Sequence, residues 1–159
     1  MSIRIFGILI LLLSAVRYSF VMVKREKQKI AQLEDICALV LYVQRNIEGF
    51  MTPVNEIVQS FEGYSESFSE YMVLAKTHGL NYALEHYPML QKAEIMKVFA
   101  NFTKKIGRGY KEEELSLCQY TYTLLTEALS KEKEDFSKKN KMYKTLPIMS
   151  AISLALILY

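Results

Sequence analysis

The sequence predicts an all-α protein: a cytoplasmic antiparallel helical bundle flanked by an N-terminal and a C-terminal transmembrane helix. Three observations predict this. Apolar residues through the central chain recur at spacings of three and four, and no stretch alternates with period two for any length. Charge is segregated, since all seventeen acidic residues lie between Glu26 and Asp135, and outside Lys24–Lys144 only Arg4 and Arg17 are charged. Two basic clusters, KREKQK and KKNKMYK, lie on the central side of the two apolar blocks. By the positive-inside rule that puts the centre in the cytoplasm and both short termini on the outer side of the membrane. The expected division is 1–23 anchor, 24–143 helical domain and 144–159 second span; 159 residues suit one domain of ordinary size.

The first apolar block, Ile3–Val23, would span roughly 31 Å as a helix, about one bilayer core. Arg17 lies about 9 Å from its Val23 end, where a long side chain reaches the interface or faces a partner helix. Tyr18 suits the interfacial zone. A cleaved signal peptide is the alternative, with Arg4 as its basic start and Ile5–Leu13 as its apolar stretch, although Ser14 and Ala15 do not form an A-x-A site.

Helices are expected at about 24–48, 53–62, 66–77, 80–86, 90–106 and 111–144. In the first, Ile30, Leu33, Cys37, Val40 and Ile47 follow a heptad spacing interrupted by Gln44. Gly49 is expected to stop it, and Thr52-Pro53 to open the second as N-cap and first helical residue. Val54, Ile57, Val58 and Phe61 form that helix's apolar face. Gly63 and Gly79 read as helix stops on either side of a third helix with Phe68, Tyr71, Met72 and Ala75 on one face. A short fourth helix ends before Pro88. The fifth carries Ile95, Val98, Phe99, Phe102 and Ile106, and Gly107-Arg108-Gly109 ends it in a tight turn.

The sixth helix opens with Glu112-Glu113-Glu114, placed where negative charge complements the helix dipole. Its heptad positions hold Leu115, Cys118, Tyr122, Leu125, Leu129, Phe136 and Tyr143, so it can lie antiparallel to the first long helix. It runs into the last apolar block, Thr145–Tyr159, which spans only about 22 Å. Starting at Met142 brings the length near 27 Å, with Lys144 snorkelling back. Pro147 requires a kink or a new segment there. Lys24, Arg25, Lys138, Lys139, Lys141 and Lys144 form the basic flanks of the two spans.

The chemistry-bearing residues do not form a catalytic pattern. The net charge of +3 lacks the basic excess of a nucleic-acid binder. Cys37 and Cys118 have no CxxC or Cys/His neighbourhood and read as small buried apolar residues. His78 and His86 have no acidic partner at metal spacing. There is no P-loop, GxGxxG or G-x-S-x-G, so no enzyme, cofactor or metal is expected. The distal turn of Gly107, Arg108 and Gly109, with Glu112 beside it, is the candidate docking point for a cytoplasmic partner. Homo-oligomerisation stays open, because a heptad seam can be satisfied within or between chains.

Three stretches carry a resemblance: TPVNEIVQSF after the first long helix, KKIGRGYKEEEL opening the last, and KKNKMYKTLPIMSAISLALILY leading into the final block. With the layout of anchors and body, they resemble the stage III sporulation protein AB family of endospore-forming bacteria. Ile106 stands in that family's leucine place, Pro147 where it usually has glycine, and Gly109-Tyr110 where serine-aspartate often follows the arginine. The resemblance implies a helical fold similar to the F-type platform protein of type II secretion, in the mother-cell membrane facing the forespore. It also implies a channel or transport complex, with a secretion-type ATPase as cytoplasmic partner alongside other membrane subunits. The function expected is a membrane platform or adaptor; the alternative is a membrane-anchored helical signalling or regulatory protein.

Overall fold

Helix formation follows the sequence punctuation closely. In the computed structural model, which describes the backbone of residues 2–50 and 52–158, six helices succeed one another. Side chains are described for residues 7, 10, 13–50, 52–143, 145–150, 152, 153 and 156. The helices are α1 (Ser2–Phe50), α2 (Val54–Ser60), α3 (Glu66–His78), α4 (Leu80–His86), α5 (Ala93–Lys105) and α6 (Lys111–Leu158). Among the described residues there is no strand.

Three local expectations differ from the outcome. The first apolar block and the first predicted helix are one continuous α1, because KREKQKIAQLE between them contains good helix formers and no breaker. Gly49 lies inside that helix rather than stopping it. The break comes with Thr52-Pro53, since a residue before proline is pushed out of the α region. Pro53, not Thr52, is the N-cap of α2: its extended ψ of 139° turns its carbonyl to accept from the Glu56 and Ile57 amides at 3.0 and 3.1 Å. Proline suits that place because its missing N–H would have no helical partner there. Gly63, at φ +83°, lies in the loop two residues beyond Phe61, the C-cap of α2. Gly79, at φ +93°, ends α3 and opens α4 in a conformation that side chains rarely adopt.

The chain forms two compact units, Gln28–Lys131 and Met1–Lys27 with Glu132–Tyr159. The central unit holds the main core. Leu33, Ile36, Cys37, Leu39, Val40, Val43 and Ile47 of α1 are all buried. They cover an arc of roughly 160° on a helix turning 100° per residue, wider than the predicted seam. The extra width has a cause: α2–α5 and their loops cover α1 on the sides that α6 leaves open. The contribution of α6 is narrower, with Cys118, Thr121 and Leu125 buried and Leu115, Tyr122 and Leu129 packed against the core. The two helices are antiparallel here, as predicted. Lys111 Nζ donates to the Glu48 carbonyl (2.8 Å), and eight residues later along α6 Gln119 accepts from Gln44 (3.4 Å).

The predicted faces of the short helices are the buried ones: Ile57, Val58 and Phe61; Phe68, Tyr71, Met72 and Ala75; Ile95, Phe99, Phe102 and Ile106. Burial of each large side chain contributes about 1.5–3 kcal/mol. Aromatic rings run through this core in one chain of contacts, Tyr42, Phe61, Tyr64, Phe68, Tyr71, Phe99 and Phe102, with centroids 4.8–6.5 Å apart. Tyr71 keeps its hydroxyl satisfied by donating to the Leu80 carbonyl at 3.1 Å, and burial pushes its pKa well above the ordinary range. Both cysteines are buried free thiols, as expected, and burial pushes the Cys118 thiol up to about 12.

Polar side chains of α1 fasten the loops to this core. Gln32 is fully buried; its Nε2 donates to the Ser67 carbonyl (2.9 Å), and its Oε1 accepts from the Leu90 amide (2.9 Å) and Gln91 Nε2 (3.3 Å). Asp35 accepts from both the backbone amide (3.0 Å) and the hydroxyl of Ser65, the N-cap of α3. Burial raises the pKa of its carboxyl, and these two bonds oppose the rise.

In the terminal unit Ser19 is buried and donates to the Tyr143 carbonyl at 2.6 Å. Large apolar side chains face outward, Phe20 and Leu156 being about three-quarters exposed at 75% and 74%. Arg17 is exposed as well. Among the described residues no helix is long and apolar enough to cross a membrane.

Candidate functional site

The distal turn is built by the end of α5 and the start of α6. Ile106 caps α5 by donating its amide to the Phe102 carbonyl (2.9 Å), while its side chain is buried in the core. That plug holds the turn against the body. Gly107 follows at φ +81°, and a Cβ there would meet Val54 Cγ2 at 3.4 Å. Both the conformation and the close approach therefore favour glycine.

The second glycine serves the next helix. Tyr110 is the N-cap of α6, since its carbonyl accepts the Glu114 amide at 3.0 Å. Glu113, three residues on, accepts from the Tyr110 amide (3.4 Å), which is the returning half of a capping box. Glu114 accepts from the Gly109 amide (3.2 Å). A Cβ on Gly109 would lie 2.9 Å from Glu113 Oε2 and so displace that cap. Lys111 ties the same turn to the end of α1 through the Glu48 carbonyl.

Arg108 stands between the two glycines, exposed. Among the described residues it has no hydrogen bond or ion pair. It borders two hollows of the central unit. One, of about 470 Å³, is lined by Thr52, Asn55, His78, Asn81 and Tyr82. It is polar, and Asn81 Oδ1 is a buried acceptor with no donor. His78 packs at a tilt against Tyr82 (4.7 Å between centroids), and Tyr82 stacks on His86 (3.9 Å). The other hollow, of about 580 Å³, joins Lys104, Lys105 and Arg108 to Leu117 and Tyr120. Tyr120 is 62% exposed there. The carboxylates nearest these cations, Glu113 and Glu114, are held by backbone amides.

Of the residues expected at this site, Gly107, Arg108 and Gly109 are together at the turn. Glu112 is exposed in the first turn of α6 but lines neither hollow, and its two neighbours do the capping. The capping-box spacing from Tyr110 to Glu113 was a usable sequence signal for that. Lys104, Lys105 and Tyr120 had none, because only the fold brings the end of α5 beside the first turns of α6. Among the described residues no three His, Cys, Asp or Glu side chains converge as metal ligands would.

The basic flanks all belong to the terminal unit. Lys24, Arg25, Lys139 and Lys141 are exposed. Lys138 pairs with Glu134 at 2.6 Å, and that hydrogen bond raises its pKa. The Lys144 side chain lies outside the described residues.

The model of the stage III sporulation protein AB family matches residues 4–159, nearly the whole chain. No curated protein and no solved structure is matched.

Proposed function

The chain belongs to the stage III sporulation protein AB family and is a sporulation-associated protein, and on that premise we propose that it is a non-enzymatic membrane platform or adaptor subunit. It works in a channel or secretion-like complex between mother cell and forespore. The two apolar blocks hold the helical body under the mother-cell membrane, with both termini on the forespore-facing side. The body docks a cytoplasmic secretion-type ATPase and other subunits of the complex.

The observation that carries the docking assignment is Arg108: an exposed guanidinium without a partner, presented by a rigid turn and shared by two hollows. An arginine so placed offers a planar set of donors for a carboxylate. Leu117 and Tyr120 supply apolar surface beside it. The outward apolar residues of the terminal unit support the membrane part of the reading.

Co-purification from sporulating cells tests it. Arg108→Glu is expected to weaken recovery of the secretion-type ATPase at unchanged helical content and melting temperature. Full recovery of the ATPase with the variant would remove the distal turn as the docking site.

A further inference from the structure

We propose that Ser19 supplies the hydrogen-bond donor that Pro147 lacks, and that the Ser19–Tyr143 bond is a register lock between the α1 and α6 segments of the terminal unit. Pro147 lies inside α6, which continues to Leu158. Proline has no amide hydrogen, so the carbonyl four residues before it loses its helical donor. That carbonyl belongs to Tyr143. It is the acceptor of the Ser19 hydroxyl, at 2.6 Å and 124 residues away in sequence.

Two further observations separate this from an incidental contact. Ser19 is only 6% exposed, so its hydroxyl has little access to water as a substitute partner. A hydroxyl inside a helix commonly bonds back to its own preceding turn. In the same unit Thr145 does so to Lys141 (2.8 Å), Ser150 to Pro147 (2.9 Å) and Ser153 to Met149 (3.0 Å). Ser19 reaches across to the other helix instead, and meets the carbonyl that the proline leaves open.

The arrangement has a mechanical consequence. Around Ser19 the hollow is lined by Val16, Phe20, Val23 and Ile148, which cannot donate to a carbonyl, and by Lys27, two helical turns further along α1. Sliding α6 along α1 by one turn would leave the Tyr143 oxygen without its donor. The observed register satisfies it, and a slide between these segments breaks this bond. Substitute donors of this kind are how proline is accommodated in helices where water is excluded.

A double-mutant cycle on the full chain in detergent micelles tests the lock. Native-state hydrogen exchange of amides in 14–23 and 139–150 reports local opening. Ser19→Ala is expected to speed exchange there roughly tenfold, the loss of one bond to a buried carbonyl. With Pro147→Ala, residue 147 regains an amide hydrogen, and Ser19→Ala should then change exchange by less than about twofold. The same factor in both backgrounds, or no change in the native one, overturns the proposal. Should Ser19→Ala fail to fold, Ser19→Thr and Ser19→Val have nearly the same shape, and only the first keeps a hydroxyl. Protection retained by threonine and lost by valine supports the lock; equal protection overturns it.

Discussion

Replacing Gln32 with leucine would remove a polar hub and leave a side chain of similar bulk. Gln32 is fully buried and joins α1 to the Ser67 carbonyl, the Leu90 amide and the Gln91 side chain. The losses differ at each partner. Gln91 Nε2 retains the Lys29 carbonyl at 2.7 Å, and the Ser67 carbonyl, inside α3, keeps the helical bond from the amide four residues on and a long contact from the Tyr87 hydroxyl at 3.5 Å. The Leu90 amide is left without its acceptor. An orphaned buried group costs about 1–3 kcal/mol, and with the Leu90 amide the one group so left the change costs about 1–3 kcal/mol. Against a total of about 5–15 kcal/mol this is substantial, and it corresponds to a melting temperature lower by about 2–12 °C for a chain of this size. Urea unfolding followed by helical circular dichroism measures it. A loss below about 0.5 kcal/mol would show that the hub is replaceable by water or by apolar packing, and the reasoning would fail.

Two more changes probe the loops and the docking turn. Asp35 has its pKa raised by burial, so in the window from its unfolded value up to its folded one the native state holds more protons, and stability falls as pH rises through that window. Asp35→Asn, which still accepts from Ser65, should therefore gain on the parent as pH rises toward neutral; a urea-midpoint difference that is flat with pH, or larger in acid, contradicts this. Gly107→Ala forces a side chain into φ +81° beside Val54 and should cost about 1–2 kcal/mol. Gly109→Ala is crowded chiefly by the movable end of Glu113, its contacts with Glu113 Cβ and Glu114 Cγ being ordinary, and should cost about 0.5–1 kcal/mol through the weakened cap, so an order reversed in thermal unfolding refutes the account of the two glycines.

Much of the helical layout was legible because its signals are local. Phe68, Tyr71, Met72 and Ala75 share a face by spacing alone, and all four are buried. Gly107 could be read as a turn residue by its conformational freedom, and its positive φ needs no distant partner. What misled was also local. Gly49 looked like a stop, but a glycine costs a helix only about 1 kcal/mol, and α1 runs past it to the exposed Phe50. The width of the buried arc on α1 was not legible, because Ile36 and Leu39 are buried by helices that follow much later in the chain. At the docking turn the glycines and Arg108 could be picked out. The cations of α5 and Tyr120 of α6 could not, since their proximity is a property of the packed helices.

Pro147 marks the boundary between the two kinds of information. The sequence by itself determined that a proline would sit in a helix running into the last apolar block, and that one backbone carbonyl would lose its donor. The rule is covalent, so no fold is needed to apply it. Only the tertiary structure decided which group replaces that donor. Ser19 is 124 residues from Tyr143 and is brought to it only within the terminal unit formed by the two chain ends. A hydrogen bond acts over about 3 Å, and no spacing rule along the chain can bring those two residues within that distance.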